Sequence, residues 1–212
     1  MKHALILGGG SKWGSVFTKN LADNGYSVDL ITSSTFVYTN VNTYPIDWIS
    51  SNENKVRHIT DQLKSKTYDI IFFNQNSGGG PNEQCFAPNQ SYPIDHWHIQ
   101  NWVNSMLPYV VVQELSNSIT ADTKVGWMLT GLIDGKDKAM WKYAGYASVK
   151  STNLHIMRGF ANQHKGIFFA LNPFWFPEKE QEQDAETIRL LIEDLQAHDN
   201  GCTIDKNGNY WI

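Results

Sequence analysis

Tyr146 and Lys150 stand four residues apart in Tyr146-Ala147-Ser148-Val149-Lys150. On a helix, residues at that spacing share a face. A free tyrosine titrates near pH ~10, too high to trade protons at neutral pH. An ammonium close by favours the phenolate, so such a pair can act as general acid or base on a carbonyl or alcohol oxygen. The chain holds nine tyrosines, so the spacing alone is a weak motif. A second candidate lies near the start, where Ala4-Leu5-Ile6-Leu7 runs into Gly8-Gly9-Gly10-Ser11-Lys12-Trp13-Gly14. Glycines after a strand let the backbone turn sharply and approach a pyrophosphate, and the following helix offers its positive end. Gly14 permits close packing of that helix on the strand. Trp13 falls where G-x-G-x-x-G wants a glycine, and the Gly-Lys-Ser/Thr ending of a P-loop is missing, which speaks against an NTPase. After the next apolar run the sequence reads Thr32-Ser33-Ser34, with no acid to grip both ribose hydroxyls. Thr32 and Ser33, with Lys12 near, suit a 2′-phosphate. The expected cofactor is therefore NADP(H), with NAD(H) as the alternative.

These residues need a scaffold, and the hydropathy pattern supplies one. Short apolar runs predict strands at 3–7, 27–32, 43–46, 69–73, 124–130, 166–171 and 202–204. Helical periods predict helices over 14–24, 53–65, 94–116, 141–163 and 184–197. Alternation of this kind, with strands apolar on both faces, predicts one doubly wound parallel α/β domain over residues 1–212. Ligands of such sheets bind beyond the carboxyl ends of the strands. Two long loops, Asn74–Pro93 and Phe174–Gln183, fall there, and the aromatics of the second suit a substrate lid.

Composition narrows the function classes. The 212 residues are 41% hydrophobic and carry 27 aromatics, far from a solvated coil. A net charge of −4 gives no attraction to nucleic acid or an anionic membrane. No apolar run approaches the ~20 residues a bilayer requires. The apolar stretch at the start is short for a signal peptide. Cys85 and Cys202 make neither a metal spacing nor a disulfide framework, so free thiols in a reducing cytoplasm are expected.

In the order and spacing of these segments the chain resembles the short-chain dehydrogenase/reductase family along essentially its whole length. The glycine turn is similar to the family's with one residue deleted. Asp47 follows the third strand, Asn74-Gln75-Asn76-Ser77-Gly78 resembles Asn-Asn-Ala-Gly, and Asn172-Pro173 resembles the later Pro-Gly turn. Asn104, Thr130 at the end of Trp127-Met128-Leu129-Thr130-Gly131, and the Tyr146/Lys150 pair fall at the family's catalytic positions. Asn200–Asp205 resembles its closing segment. The resemblance implies hydride transfer between nicotinamide and a small carbonyl or alcohol substrate. Tyr146 would exchange the proton and Lys150 would lower its pKa and hold the nicotinamide ribose. Thr130 would bond the substrate oxygen, and Asn104 would hold a relay water. Gly8, Gly10, Ser11, Lys12, Trp13, Gly14, Thr32, Ser33, Asp47, Asn74 and Pro173 would line the cofactor. It also implies a homodimer or homotetramer through the 94–116 and 141–163 helices. Two alternatives stay open: a non-catalytic nucleotide-binding or regulatory protein, and an epimerase or dehydratase on a nucleotide sugar.

Other candidates read as structural. His96 and His98 are two apart, a poor metal pair on a helix. His155 and His164 suit a helix face and its end. Trp127, Trp141, Phe174, Trp175 and Phe176 suit either pocket walls or core. The acidic 178–186 run suits a solvated helix start.

Overall fold

Buried apolar runs pair side by side because each needs cover on both faces. The computed structural model describes residues 1–48, 50–75, 94–130, 133, 144–173 and 178–211. Seven strands form one sheet: β1 (Lys2–Leu7), β2 (Tyr26–Thr32), β3 (Val41–Pro45), β4 (Ile70–Phe73), β5 (Lys124–Met128), β6 (Ile167–Asn172) and β7 (Cys202–Asp205). Their order is β3-β2-β1-β4-β5-β6-β7, and every neighbouring pair is parallel. The chain order reverses between β1 and β4, and such a switch opens a crevice beyond the strand ends.

Alternate residues of each strand feed two apolar layers. Leu5, Leu7, Ile71, Phe73, Val125, Trp127 and Phe168 face one side, under α2 (Glu53–Leu63), α4 (Leu107–Glu114) and α5 (Ala144–Ala161). Ala4, Ile6, Leu30, Ile70, Phe72 and Phe169 face the other, under α1 (Lys12–Asp23) and α6 (Gln181–Asp194). Trp127 is fully buried and packs on Phe73, Phe160 and Phe168, so it is core and not pocket wall. Two carboxylates are buried among the described residues, Asp29 in β2 and Asp199; Asp29 accepts from Lys66 Nζ (2.7 Å) and Tyr68 Oη (2.9 Å).

Predicted boundaries moved at the ends. β5 stops at Met128, leaving Thr130 beyond the strand, and α6 starts three residues before its expected Asp184 and ends three before Ala197. At the outer edge of β7 the chain folds back: Trp211 N–H donates to Thr203 O (2.8 Å), Asp205 N–H to Asn209 O (2.9 Å), and Tyr210 hydrogen-bonds Asp199.

The predicted 94–116 helix is broken. It consists of α3 (Ile94–Asn101), a π-turn at Trp102–Met106, and α4. The cause is Pro108. An α-helix needs the residue-108 N–H for the carbonyl four back, and proline has none. The chain widens by one residue, and Leu107 N–H bonds Trp102 O, five back. Asn104, wholly buried at the centre of the turn, donates from Nδ2 to Gln100 O at 2.9 Å.

Candidate active site

At the end of β1 the chain turns through Gly8 at φ +77°, a conformation that strongly favours glycine. A Cβ at Gly8 would stand 2.4 Å from Gln75 Cα, and one at Gly10 would stand 2.4 Å from Thr32 Oγ1. Asn74, at the end of β4, donates from Nδ2 to Gly8 O and Ser11 Oγ (3.1 Å each). A Cβ at Gly14 would meet that amide at 2.5 Å. Asn74 therefore clamps the turn against the neighbouring strand. Ser11 sends its hydroxyl back to Gly8 O (3.0 Å), makes no side-chain cap on α1, and no carboxylate lies in the helix's first turn. The first turn of α1 thus carries no anion of its own, which suits a pyrophosphate.

Two residues expected at the cofactor also serve the fold. The Trp13 side chain is 6% exposed, stacked on Phe17 (4.9 Å between centroids) and tilted on Phe72, so the ring belongs to the core. Its apolar area decides this, because α1 must cover that face of the sheet. Thr32 is buried, with its hydroxyl accepting from Ser34 N–H (3.2 Å), so it shapes the end of β2. Ser33 is exposed and lines a cavity of about 770 Å³ with Ile46, Asp47, Ser51 and Lys55. The Asp47 carboxylate there accepts from Ser50 Oγ (2.7 Å). Lys55 was not foreseen: it lines this cavity and makes no ion pair among the described residues, whereas Arg57 next to it is taken by Glu53 and Glu114. Lys12 is exposed at the head of α1.

On the other side of the crevice α5 carries Tyr146 and Lys150. Lys150 is 2% exposed, donates to Met128 O (3.1 Å), and lies 5.8 Å from the centre of the Tyr146 ring. Burial pushes its pKa down to about 8. Tyr146 is partly buried, and burial pushes its phenol well above the usual value. The expected lowering of the phenol is therefore not seen. The ammonium sits over the ring face, where it meets π-electron density and not the hydroxyl, and desolvation prevails. Ser105, in the π-turn, donates to Val149 O (3.1 Å), so the turn bearing Asn104 is tied next to Lys150. Thr130 and Pro173 follow β5 and β6 at the crevice end of the sheet, both partly buried.

Of the other candidates, His155 is exposed and His164 packs on Phe160 and Phe168. Cys85, the side chain of His96, Trp141 and Phe174–Phe176 lie outside the described residues, as do nearly all of the first long loop and the start of the second. No described helix is long and apolar enough to cross a membrane.

Sheet order, glycine turn and the Asn74 clamp define a doubly wound α/β protein with a crevice at its topological switch. No protein-family model matches the sequence, and no curated protein does. Solved structures do. A carbonyl reductase from Pseudomonas aeruginosa PAO1 is similar at TM-score 0.81 and 14% identity, over 100% of this chain and 99% of that one. A short-chain dehydrogenase/reductase from Serratia marcescens BCRC 10948 gives 0.75 and 17%, over 97% and 96%. BdcA in complex with NADPH gives 0.75 and 16%, over 98% and 94%. The chain has the fold of the short-chain dehydrogenases/reductases.

Proposed function

We propose that the chain is an NADP(H)-preferring oxidoreductase acting on a small carbonyl or alcohol. What supports this is a clamped glycine turn at the end of β1 together with a helix that carries Tyr146 and ties a buried Lys150 to the end of β5. The residues fit a dinucleotide: a Cβ at Gly8, Gly10 or Gly14 would strike the turn's own supports, and α1 points its positive end at the crevice without a capping side chain. A bound nicotinamide would supply the hydride. Tyr146 gives a proton to the carbonyl oxygen in reduction and takes it back in oxidation. Lys150 holds the ribose and brings positive charge to the site. Thr130 orients the substrate oxygen, and Asn104, through its π-turn, keeps a proton path behind Lys150. The protein's share is positioning and charge placement.

Cofactor preference rests on the end of β2. Ser33 is exposed there, the residues that follow it are hydroxyl-bearing, and Lys55 shares its cavity. A 2′-phosphate gains charge-assisted hydrogen bonds from such a set. NADPH is expected to bind about tenfold tighter than NADH, a gap of about 1.4 kcal/mol. Dissociation constants from NAD(P)H fluorescence measure this directly, and tighter binding of NADH would reverse the assignment.

The same reading places the protein in the cytoplasm as a homodimer or homotetramer. Met106 and Tyr109 support the assembly, since both expose large apolar surface at the outer side of the π-turn and α4. Sedimentation at micromolar concentration should give a dimer or tetramer, and a monomer alone would contradict it.

A further inference from the structure

We infer that Gln75 is a positioning residue of this site, its side-chain amide holding the π-turn of Asn104 in register with the glycine turn. The inference deepens the proposed function and rests on it for the chemistry served, but not for the contact itself. The contact begins with Pro108. Leu107 N–H is spent on Trp102 O, and the residue five beyond Val103 is Pro108, which has no N–H. The Val103 carbonyl is left open within the bundle, and Gln75 Nε2 donates to it at 3.2 Å. The backbone of the same glutamine presses on Gly8, so closely that Gly8 has no room for a Cβ.

Four successive residues of the π-turn are each tied to a different place. Trp102 Nε1 donates to Ser51 Oγ (3.2 Å) at the β2–β3 cavity, and Asn104 closes the Gln100 carbonyl. Ser105 reaches the residue before Lys150. The Val103 tie is the one that runs, through Gln75, to the glycine turn. A second observation points the same way. Gln75 is 3% exposed, and its Oε1 has no hydrogen-bond partner among the described residues. A buried unpaired acceptor is costly, and a methionine would fill the same space without that cost. An amide persists there because its N–H₂ donor is needed.

The test compares Gln75→Met and Gln75→Glu with the wild-type chain by amide hydrogen exchange, with and without saturating NADPH. Gln75→Met is expected to speed exchange in the segment around Val103–Leu107 by about tenfold. It should abolish the NADPH-induced protection of the Tyr146–Asn153 stretch of α5 while leaving the affinity for adenosine 2′,5′-bisphosphate within about twofold. Gln75→Glu should resemble Gln75→Met at about pH 8 and recover wild-type exchange near pH 5, relative to wild type at the same pH. There its buried carboxyl is protonated and again donates to Val103 O. A role limited to filling space gives no such recovery. Wild-type exchange around Val103–Leu107 in Gln75→Met, or a Glu variant that does not recover at low pH, overturns the inference. If Gln75→Met does not fold, the pH dependence of Gln75→Glu decides alone. A wild-type chain that binds neither NADPH nor NADH defeats the proposed function, and exchange at the π-turn without nucleotide still judges Gln75.

Discussion

Lys150→Met should make the free protein more stable, by about 3 kcal/mol at neutral pH, while removing its function. The amine is fully buried, and burial alone drives its pKa from 10.5 to about 8. Its bond to Met128 O and its place over the Tyr146 ring offset only part of the lost hydration. The folded pKa lies below the unfolded one, so between them the unfolded chain binds more protons. This lysine's destabilising effect is thus fully present below pH 8 and fades as pH rises from about 8 toward 10.5. Other groups act oppositely in the upper part of that window. Cys202 is pushed up to about 11 by burial, and Tyr26 and Tyr146 are raised as well, so each favours unfolding as pH passes its unfolded value. The difference between variant and wild type cancels those groups. Urea unfolding at about pH 7 and pH 9 should give a gap that narrows at the higher pH. A variant less stable than wild type at pH 7, or a gap that does not move, would show that the amine is not buried as described.

Tyr146→Phe should lower NADPH-dependent reduction of small carbonyls about 10³-fold while nucleotide affinity stays within a few fold. The ring, and with it the surface over Lys150, is retained, so only the proton donor is lost. Because burial raises the phenol, Tyr146 holds its proton at neutral pH and begins as an acid. Reduction is then the direction for which the free protein is poised, and oxidation, which needs the phenolate, should gain with rising pH. Steady-state rates over a panel of carbonyls and alcohols check both statements. Full activity in Tyr146→Phe would leave the nucleotide crevice intact and remove the catalytic role.

Much of the scaffold was legible because its causes are local. Apolar runs such as Leu5–Leu7 and Ile70–Phe73 are strands buried on two faces, and the glycines at Gly8, Gly10 and Gly14 sit where a Cβ has no room. Asn104, Tyr146 and Lys150 lie on elements that bring them to one side of the sheet. What was not legible depends on neighbours distant in sequence. Trp13 reads as a turn residue until Phe17 and Phe72 offer it a stack. Thr32 reads as a surface ligand, but it is buried and its hydroxyl also accepts from Ser34 N–H. Burial raises the pKa of Tyr146, and the ammonium lies over the ring face, neither of which a four-residue spacing reveals. The π-turn did leave a signal, since Pro108 inside a helical period marks a break. Its partner Gln75 could not be named from that signal, because 28 positions separate it from Val103.

The folded-back end of the chain has a consequence for self-association. An outermost strand with open amides and carbonyls invites another chain to extend the ladder, a route to fibres and swapped dimers. Here Thr203 O and Asp205 N–H are already satisfied from within, by Trp211 and Asn209. Copies meeting at that rim cannot splice their sheets into one, and any assembly there must be built from side chains.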